Sequence, residues 1–199
     1  MPVDSARRSN RERSEATRAL LLEAARKLVV TKGYADTGTP EIVAAAGVTR
    51  GALYHHFDDK QALFRAVVEQ ESAAVAAEIE RATANLPSIR EALLKGGEAF
   101  LRAMSQAGRT SLLLLDGPAV LGRAEMNVID DAHGARTLRE GISDAMGQGV
   151  MRSLPADALM AVLAAAFDRA ALDIESGGRK KDYRQVIEGL VGGLFSEGP

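Results

Sequence analysis

The sequence predicts an all-α fold, with a small three-helix head followed by a larger helical body. Apolar residues recur at the three- and four-residue spacing of amphipathic helices, β-branched runs are scarce, and most Gly and Pro residues fall between the periodic segments. The 199 residues suffice for one or two compact domains. With 46% hydrophobic and 26% charged residues, the composition is that of an ordinary folded protein.

The N-terminal segment has two parts. Residues 1–13 are polar and basic without apolar periodicity, which predicts a flexible arm. From about residue 14 to residue 32 the apolar positions return at helical spacing, so we expect the first helix there. Gly33 is expected to end this helix, because glycine adopts the left-handed conformation without strain.

Two short helices follow, separated by a glycine. Thr39 stands before Pro40 as a capping residue, and small apolar side chains dominate residues 40–46. Gly47 provides a turn, after which Thr49 can cap the next helix. Two helices joined by a three- or four-residue turn containing glycine form a helix-turn-helix, whose second helix enters the DNA major groove.

The third helix has an apolar side and a polar side. Leu53 and Phe57 lie four residues apart, so both can pack inward while polar side chains face outward. Asp58, with Gln61 three residues later, resembles a capping box that opens a fourth helix over about residues 59–83. A helix of that length can link the head, placed at residues 14–60, to the body.

The body, residues 61–199, contains helical patterns broken by Gly and Pro. After the fourth helix, these patterns lie near residues 88–106, 108–115, 119–146, 155–175 and 180–195. The sequence does not fix the boundaries within residues 107–150, because glycines and Pro118 interrupt the periodicity there.

The net charge of −2 conceals an asymmetry along the chain. Residues 1–60 hold ten Lys and Arg against eight Asp and Glu, whereas residues 61–199 hold fifteen against nineteen. A basic front end on an acidic body is typical of a polyanion-binding head, since phosphate contacts supply much of nucleic-acid affinity. A solvated N-terminal arm would have the same composition, and charge alone leaves both interpretations open.

Composition argues against several other classes of protein. Without Cys, a disulfide framework, a thiolate nucleophile and a thiolate metal site are absent. No apolar run approaches the roughly 20 residues that span a bilayer, and none follows the basic N-terminus, so we expect a cytoplasmic protein without a membrane segment. No Ser-His-Asp order, phosphate-loop glycine pattern or His pair at metal spacing occurs, so we expect no catalytic site, metal or cofactor. The adjacent His55 and His56 would point about 100° apart on a helix.

One gapless block carries a family resemblance. Residues 41–64 read Glu-Ile-Val-Ala-Ala-Ala-Gly-Val-Thr-Arg-Gly-Ala-Leu-Tyr-His-His-Phe-Asp-Asp-Lys-Gln-Ala-Leu-Phe. Together with Ala-Ala-Arg-Lys-Leu at residues 24–28 and Gly33-Tyr34, this block resembles the DNA-binding head of the tetracycline-repressor (TetR) family of bacterial regulators. The resemblance covers about residues 14–75. Beyond residue 75 only length and helical character agree with that family.

The candidate DNA-contacting residues lie in and beside the third helix. They are Thr39, Thr49, Arg50, Gly51, Ala52, Tyr54, His55, His56 and Lys60. Arg50 offers a planar fork that matches guanine O6 and N7 or a phosphate, and Gly51 allows close approach to the groove. The resemblance assigns Tyr54, His56 and Lys60 to the DNA backbone. From the residues alone, the tyrosine could be a core aromatic, and the arginine and the lysine could be ordinary surface charges.

The resemblance also implies a small-molecule pocket in the body. Side chains that could line it are Phe100, Met104, Leu113, Met126 and Met160. Methionine adapts to irregular apolar ligands, although these residues could equally be plain core. The isolated His133, which follows two aspartates, is expected to be a surface or capping residue.

Two apolar stripes near the C-terminus predict a dimer interface. They comprise Leu159, Leu163, Phe167, Ile187, Leu190, Val191 and Leu194. Both stripes are wide and the first is rich in alanine, which suits close helix packing. In the resembled family the last two long helices pair with those of a second subunit. Packing within one chain is the alternative.

These observations predict a homodimeric DNA-binding regulator, most simply a repressor. A two-fold dimer requires a palindromic operator in double-stranded DNA, with half-sites about one helical turn or a multiple of it apart. The resemblance implies that an unknown small-molecule effector in the body shifts the fourth helix and releases the DNA. Two alternatives stay open: a regulator without a small-molecule ligand, controlled by a protein partner or by abundance, and an activator.

Overall fold

Helices account for nearly all of the regular backbone, which confirms the all-α prediction. The computed structural model describes residues 3–195, with side-chain surroundings from residue 10 onward. The helices are α1 Val3–Lys32, α2 Thr39–Ala46, α3 Arg50–His56, α4 Lys60–Thr83, α5 Ile89–Met104, α6 Arg109–Ser111, α7 Gly117–Leu121, α8 Arg123–Ala132, α9 Gly134–Gly147, α10 Ala156–Glu175 and α11 Lys180–Gly192. A π-helical turn, Leu112–Asp116, joins α6 to α7. Within this range, no helix has the length and apolar run that a bilayer crossing requires.

The first helix is longer than the sequence predicted. An irregular arm was expected over residues 1–13, but the backbone is helical from Val3 onward, so that expectation is wrong there. Residues 3–32 contain neither Gly nor Pro, and Arg11 pairs with Glu15 one turn later at 2.8 Å, so nothing interrupts the hydrogen-bond ladder. Residues 1 and 2 of the predicted arm lie outside the described range.

The turn between α2 and α3 depends on Gly47. Its φ of 64° is the left-handed conformation that glycine adopts at little cost, and its N–H bonds to the Ala44 carbonyl. Thr49 then caps α3, because its hydroxyl oxygen accepts a hydrogen bond from the Ala52 N–H at 3.1 Å. The predicted helix-turn-helix is therefore confirmed.

Two other caps lie one residue away from their predicted positions. Thr39 is already inside α2, and the N-cap is Gly38. Asp59 rather than Asp58 caps α4, because its carboxylate reaches the Ala62 N–H three residues later at 2.7 Å. These shifts leave both helices where the sequence pattern predicted them.

The head packs around side chains from four helices. Leu21 of α1, Ile42 of α2, Leu53 of α3 and Phe64 of α4 are almost wholly buried. Phe57, just after α3, is buried as well, so the predicted inward face of this helix is confirmed. Each such side chain contributes about 1.5–3 kcal/mol when buried, and together they fix the orientation of α3 against α1 and α4.

The fourth helix extends from the head into the body. Its 24 residues span roughly 36 Å at the usual rise per residue. Near its start, the Phe64 ring lies 4.8 Å from the Tyr34 ring of the α1–α2 connection. Its later turns pack mainly against α5, so one rigid element has an end in each part of the molecule.

The segment formed by α6, the π-helical turn and α7 is continuously helical. The Gly117 N–H bonds to the Leu112 carbonyl five residues back, and Pro118 follows with no N–H to donate. This explains why boundaries within residues 107–150 could not be read: a Gly-Pro pair that interrupts the pattern lies inside helical backbone. His133 is the C-cap of α8 and separates it from α9, as its predicted capping role required.

Candidate nucleic-acid interface and body cavity

The third helix presents a polar face to solvent. Arg50, Gly51 and Tyr54 are exposed on it, while Leu53 points into the core. A Cβ added at Gly51 would meet only the Thr49 hydroxyl, at 3.9 Å, within 4 Å. Another surface can therefore approach the backbone of α3 closely, as entry into a major groove requires.

Two candidate residues serve the cap of α3 as well. The Thr49 oxygen accepts the cap hydrogen bond, which leaves the hydroxyl hydrogen able to donate to an acceptor such as a phosphate oxygen. Ala52 is half-buried and its N–H is used by this cap. Its predicted DNA contact is therefore restricted to the methyl group, which can meet only an apolar part of the DNA.

Tyr54 lies between Arg50 and Thr39. The Arg50 guanidinium carbon is 5.5 Å from the centroid of the Tyr54 ring, a cation–π distance. Hydrogen bonding from the Thr39 side chain, and then from Arg50, keeps the pKa of the Tyr54 phenol below its usual value. Tyr54 is 43% exposed and is not a core aromatic. Its ring restricts the orientations open to the Arg50 guanidinium.

The two histidines have different surroundings. His55 is exposed, whereas His56 is half-buried with its ring 5.3 Å from that of His55. Burial, followed by the nearby His55 and Arg18, lowers the pKa of His56 below its usual value and so favours the neutral imidazole. Within the described part of the chain, no group of three or more His, Cys, Asp or Glu residues could hold a metal ion.

Arg18 of α1 is a nearby cation that the sequence reasoning did not single out. Its guanidinium carbon lies 5.4 Å from the centroid of the Phe57 ring, and its charge acts on His56. From the sequence, Arg18 is one of several basic residues in the first helix. Only the packing of α1 against α3 shows that this one lies beside the candidate DNA-contacting residues.

Lys60 points back into the head. Its Nζ donates hydrogen bonds to the carbonyl oxygens of Tyr34 at 2.9 Å and Thr37 at 3.0 Å. It also lies 4.0 Å from the centroid of the Tyr34 ring. Two of the three ammonium hydrogens are thus used within the head. These contacts give Lys60 a structural role at the α1–α2 connection. Its phosphate contact stays a prediction, for which one ammonium hydrogen is left.

The body contains a cavity of about 360 Å³. Helices α4, α5, α8, α9 and α10 and the π-helical turn all contribute to its wall, and its volume is typical of a small-molecule site. Three of the five predicted lining residues lie on this wall: Phe100, Met104 and Leu113. The other two, Met126 and Met160, are buried outside the wall, so the prediction is wrong for them. Met126 packs beside Gly117, which has no side chain to fill that space.

Two aspartates on the cavity wall were not among the predicted lining residues. Asp130 of α8 and Asp168 of α10 both line it. Crowding by protein atoms, together with a neighbouring carboxylate (Asp131 for Asp130, and Asp130 for Asp168), raises the pKa of each to about 6. Asp168 could have been suspected, since it interrupts the alanine-rich apolar pattern of α10. Asp130 could not, because it resembles an ordinary surface acid at the end of α8.

A buried ion cluster joins α1, α4 and α6. The Glu71 carboxylate accepts hydrogen bonds from Arg26 at 2.8 Å and from Arg109 at 2.7 Å. Arg26 also donates to the Ala107 carbonyl, and Arg109 to the Ala103 carbonyl. Burial alone would raise the pKa of Glu71, but the hydrogen bonds and charges of the two arginines outweigh burial and hold it below its usual value. The cluster fixes α1 of the head against the body.

The predicted dimer stripes divide into an inner and an outer set. Those buried within one chain are Leu163, Phe167, Ile187 and Val191, and those half-buried are Leu159 and Leu194. The buried four pack on the protein's own core, and the interface assignment of the seven residues stays a prediction. Leu190 is 52% exposed, and two further large apolar residues are exposed as well, Val186 of the same helix at 60% and Val162 of the contacting α10 at 67%. These three define the exposed apolar face of α10 and α11.

A helix-turn-helix head on a helical body with a ligand-sized cavity is the architecture of a DNA-binding transcriptional regulator. A family model described as bacterial regulatory proteins of the tetR family matches residues 21–67. A second, described as the tetracyclin repressor-like C-terminal domain, matches residues 90–195. The chain therefore belongs to the TetR family of transcriptional regulators.

Some relatives match nearly the whole chain and others only a part. A TetR-family transcriptional regulator of known structure from Pectobacterium atrosepticum is 30% identical, with 95% of this chain and 99% of that chain covered and a TM-score of 0.74. The transcriptional repressor AcnR of Corynebacterium diphtheriae is 27% identical over 190 residues, 94% of each protein. The regulator TtgR of Pseudomonas putida is 40% identical over 62 residues, which span 31% of this chain and 30% of TtgR.

Proposed function

We propose that the protein is a homodimeric repressor that binds a palindromic operator and leaves it when a small molecule occupies the body cavity. The observation that carries this proposal is the course of α4. The first turns of α4 lie in the head, and Val75, Ile79 and Thr83 farther along line the cavity. A change at the cavity therefore acts on the same helix that holds the DNA-binding head.

In the proposed complex, α3 lies in the major groove. Arg50 is the base reader, because its guanidinium is exposed, carries the planar fork that matches guanine, and is oriented by the Tyr54 ring. The Thr49 hydroxyl and the Tyr54 phenol are proposed to donate to phosphates, with His55 and His56 at the C-terminal end of the helix. Phosphate contacts of this kind set the register of the helix, and base contacts give specificity.

The second copy is proposed to pack on the exposed apolar face of α10 and α11. A two-fold axis would bring this face onto itself, which is the usual arrangement in homodimers. Small residues beside the face allow close approach of helices: Ala158, Ala161, Ala165, Gly189 and Gly193 are all exposed. Three large apolar side chains on adjacent helices form a patch of the kind that marks a protein interface.

The effector step is proposed to act through the π-helical turn. Leu113 of this turn lines the cavity, and the helices that follow it hold the start of α4. Gln61 donates to the Val120 carbonyl at 2.8 Å, and Arg65 is paired with Glu125. A ligand that moves the turn changes these contacts and the position of α4. It releases DNA only if it binds the DNA-incompetent arrangement more tightly.

Two observations favour a ligand-released repressor over the alternatives. The cavity supports a small-molecule effector, whereas a fully packed body would favour control by a protein partner or by abundance. AcnR, which aligns over nearly the whole chain, is itself a repressor. The sign of regulation also depends on where the operator lies relative to the promoter.

The first test is selection of DNA bound by the full-length protein from a random pool. We expect enrichment of an inverted repeat with half-site centres about 10 base pairs, or a multiple of that, apart. The Leu190→Glu variant, with an intact head, is the matched control and should enrich single half-sites. Enrichment of single sites or direct repeats by the unaltered protein would refute the proposal that a homodimer binds a palindromic operator.

The second test separates DNA binding from ligand response. Ala164 is half-buried on the cavity wall, so Ala164→Leu should fill part of the cavity without touching the head. We expect this variant to bind the selected operator normally and to resist release by compounds that release the unaltered protein. Equal release of both proteins would show that the effector acts elsewhere.

A further inference from the structure

We propose that the ligand of the body cavity is a lipophilic organic cation, with an apolar frame and one quaternary or protonated nitrogen. This ligand class rests on the proposed role of the cavity as the effector site. It follows from the charges on the cavity wall, the absence of partners for two of them, and the aromatic rings beside them.

Every charged side chain on the cavity wall is acidic. The wall contains Glu80, Asp130, Glu140 and Asp168, and no Lys, Arg or His among its described residues. Glu80 and Glu140 are both paired with Arg136, at 2.5 and 3.2 Å, so their charge is already balanced. The carboxylates of Asp130 and Asp168 have no hydrogen bond or ion pair with any group described for residues 10–195.

The two unpaired carboxylates face a common space. Asp168 is half-buried, Asp130 is more open to solvent, and the negative charge of Asp130 acts on Asp168. The charge of His133 acts favourably on Asp130 from the α8–α9 junction, while Asp131 opposes ionisation there. Because both carboxyls are mostly ionised at neutral pH, the cavity wall carries two like charges that a bound cation would neutralise.

The remaining wall suits the apolar part of such a ligand. The rings of Phe100 and Phe167 lie 5.6 Å apart at 68°, and Phe167 directly precedes Asp168 in α10. A Cβ at Gly97 would come within 2.8 Å of the Phe167 ring, so this glycine lets the ring pack against α5. Aromatic faces attract organic cations, which adds to the attraction of the carboxylates. An anionic ligand would be repelled, and a purely apolar one would leave the carboxylates without a partner.

The test uses three probes of nearly equal shape and different charge. They are benzyltrimethylammonium (a cation), 2-methyl-1-phenyl-2-propanol (neutral) and phenylmethanesulfonate (an anion). Binding to the full-length protein is measured by titration calorimetry at pH 7.5 without DNA. We expect the affinity for the cation to be at least about tenfold higher than that for the neutral alcohol, and the anion to bind most weakly.

Variants assign the preference to the two aspartates. In the Asp130→Asn/Asp168→Asn double variant, the affinity for the cation should fall at least about tenfold relative to the unaltered protein, and the affinity for the alcohol should hardly change. Asp157→Asn, at an exposed aspartate at the start of α10, is the matched control and should behave as the unaltered protein. Circular dichroism checks that each variant is folded. Absence of cation binding, equal affinity for cation and alcohol, or a preference that survives the double variant would each overturn the proposal.

Release of operator DNA is measured separately by fluorescence anisotropy. If the cation binds with the expected preference but does not release DNA, the ligand class is supported and the effector mechanism fails. If the neutral alcohol releases DNA and the cation does not, the effector mechanism is supported and the ligand class is refuted.

Discussion

The ammonium group of Lys60, at the start of α4, donates to the Tyr34 carbonyl at 2.9 Å and lies 4.0 Å from the centroid of the same residue's ring. This pairing ties the α1–α2 connection to the helix that enters the body. A lysine at this position therefore acts within the protein, by holding the α1–α2 connection against the start of α4.

Replacement of Lys60 should affect stability more than salt dependence. Lys60→Ala removes two charge-assisted hydrogen bonds and a cation–π contact, and should lower the free energy of unfolding by about 1–3 kcal/mol in urea denaturation. Lys27→Ala, at an exposed lysine of α1, removes the same charge and should be nearly neutral. The slope of operator affinity against salt should hardly change for Lys60→Ala. A decrease of about 1 would instead place the lysine on a phosphate.

Arg50→Lys should relax base preference while keeping the charge. Lysine lacks the planar fork, so discrimination at one base position should fall by about 1–3 kcal/mol in the DNA selection experiment. The salt slope should stay unchanged because the charge is kept. An unaltered preference profile would assign Arg50 to a phosphate or to the surface.

Charge placed on the exposed apolar face should prevent dimer formation. Val162→Glu and Leu190→Glu, each on a residue more than half exposed, should sediment as folded monomers with weak operator affinity. Val128→Glu is the control, since Val128 is 58% exposed on α8 outside this face. Dimeric Val162→Glu and Leu190→Glu proteins would show that the interface lies elsewhere. Truncation before α11 is a poor test, because Ile187 and Val191 belong to the core of one chain.

The ionised carboxyl of Asp168 should destabilise the protein above pH 6. Its pKa is about 6 in the folded protein and 3.8 ordinarily, so the folded state binds more protons between these values. Stability therefore falls as pH rises from about 4 to 6, and the penalty persists at higher pH. Asp168→Asn should raise the free energy of unfolding by about 1–2 kcal/mol at pH 7.5, after allowance for solvent screening, and by little at pH 4.

Other titratable and charged groups surround Asp168 and could also contribute to the pH dependence. Asp130 faces Asp168 from α8, Asp131 and His133 flank Asp130, and Glu80 and Glu140 are paired with Arg136. Asp157→Asn should show no gain at either pH. A gain for Asp168→Asn of equal size at pH 4 and pH 7.5 would mean that its ionisation is not the cause.

Removing one member of the buried ion cluster should destabilise the protein more than removing both members of the Glu71–Arg109 pair. Arg109→Met leaves the Glu71 carboxylate short of a partner, and should lower the free energy of unfolding by about 3–5 kcal/mol. The Glu71→Leu/Arg109→Met double variant should recover much of this loss, because the buried carboxylate is removed with its partner, and Glu78, which also pairs with Arg109, is 28% exposed. Urea denaturation of both variants and of Glu71→Leu gives the coupling free energy. Additive losses would show that the two side chains do not act as a pair.

The sequence was most informative about the head because the head depends on local chemistry. Gly47 is required by a left-handed turn, Thr49 by a cap, and the spacing of Leu53 and Phe57 by the helical period. Each of these signals operates within a few residues. The same locality produced the small errors, since adjacent Asp58 and Asp59 can both cap and only the folded backbone selects between them.

The body was less predictable because its features depend on contacts between distant segments. Met126 and Met160 are as apolar as Met104, but only Met104 lies on the cavity wall. Similarly, Phe167 and Val162 belong to one apolar pattern on α10, yet the first is buried and the second exposed. Periodicity identifies an apolar stripe, and the neighbouring helices decide which part of it stays open.

The hydrophobic core runs without a break from Leu21 in the head to Phe195 at the end of the body, with residues of α4 in the middle. A protein whose parts share one core should unfold in a single cooperative transition. Destabilising substitutions in the body should therefore lower the amount of functional head as well. If the proposed function holds, mutations that only weaken the fold should relieve repression. Mutations that abolish the response to the effector and leave DNA binding intact should be confined to the cavity and to the contacts between the cavity and α4.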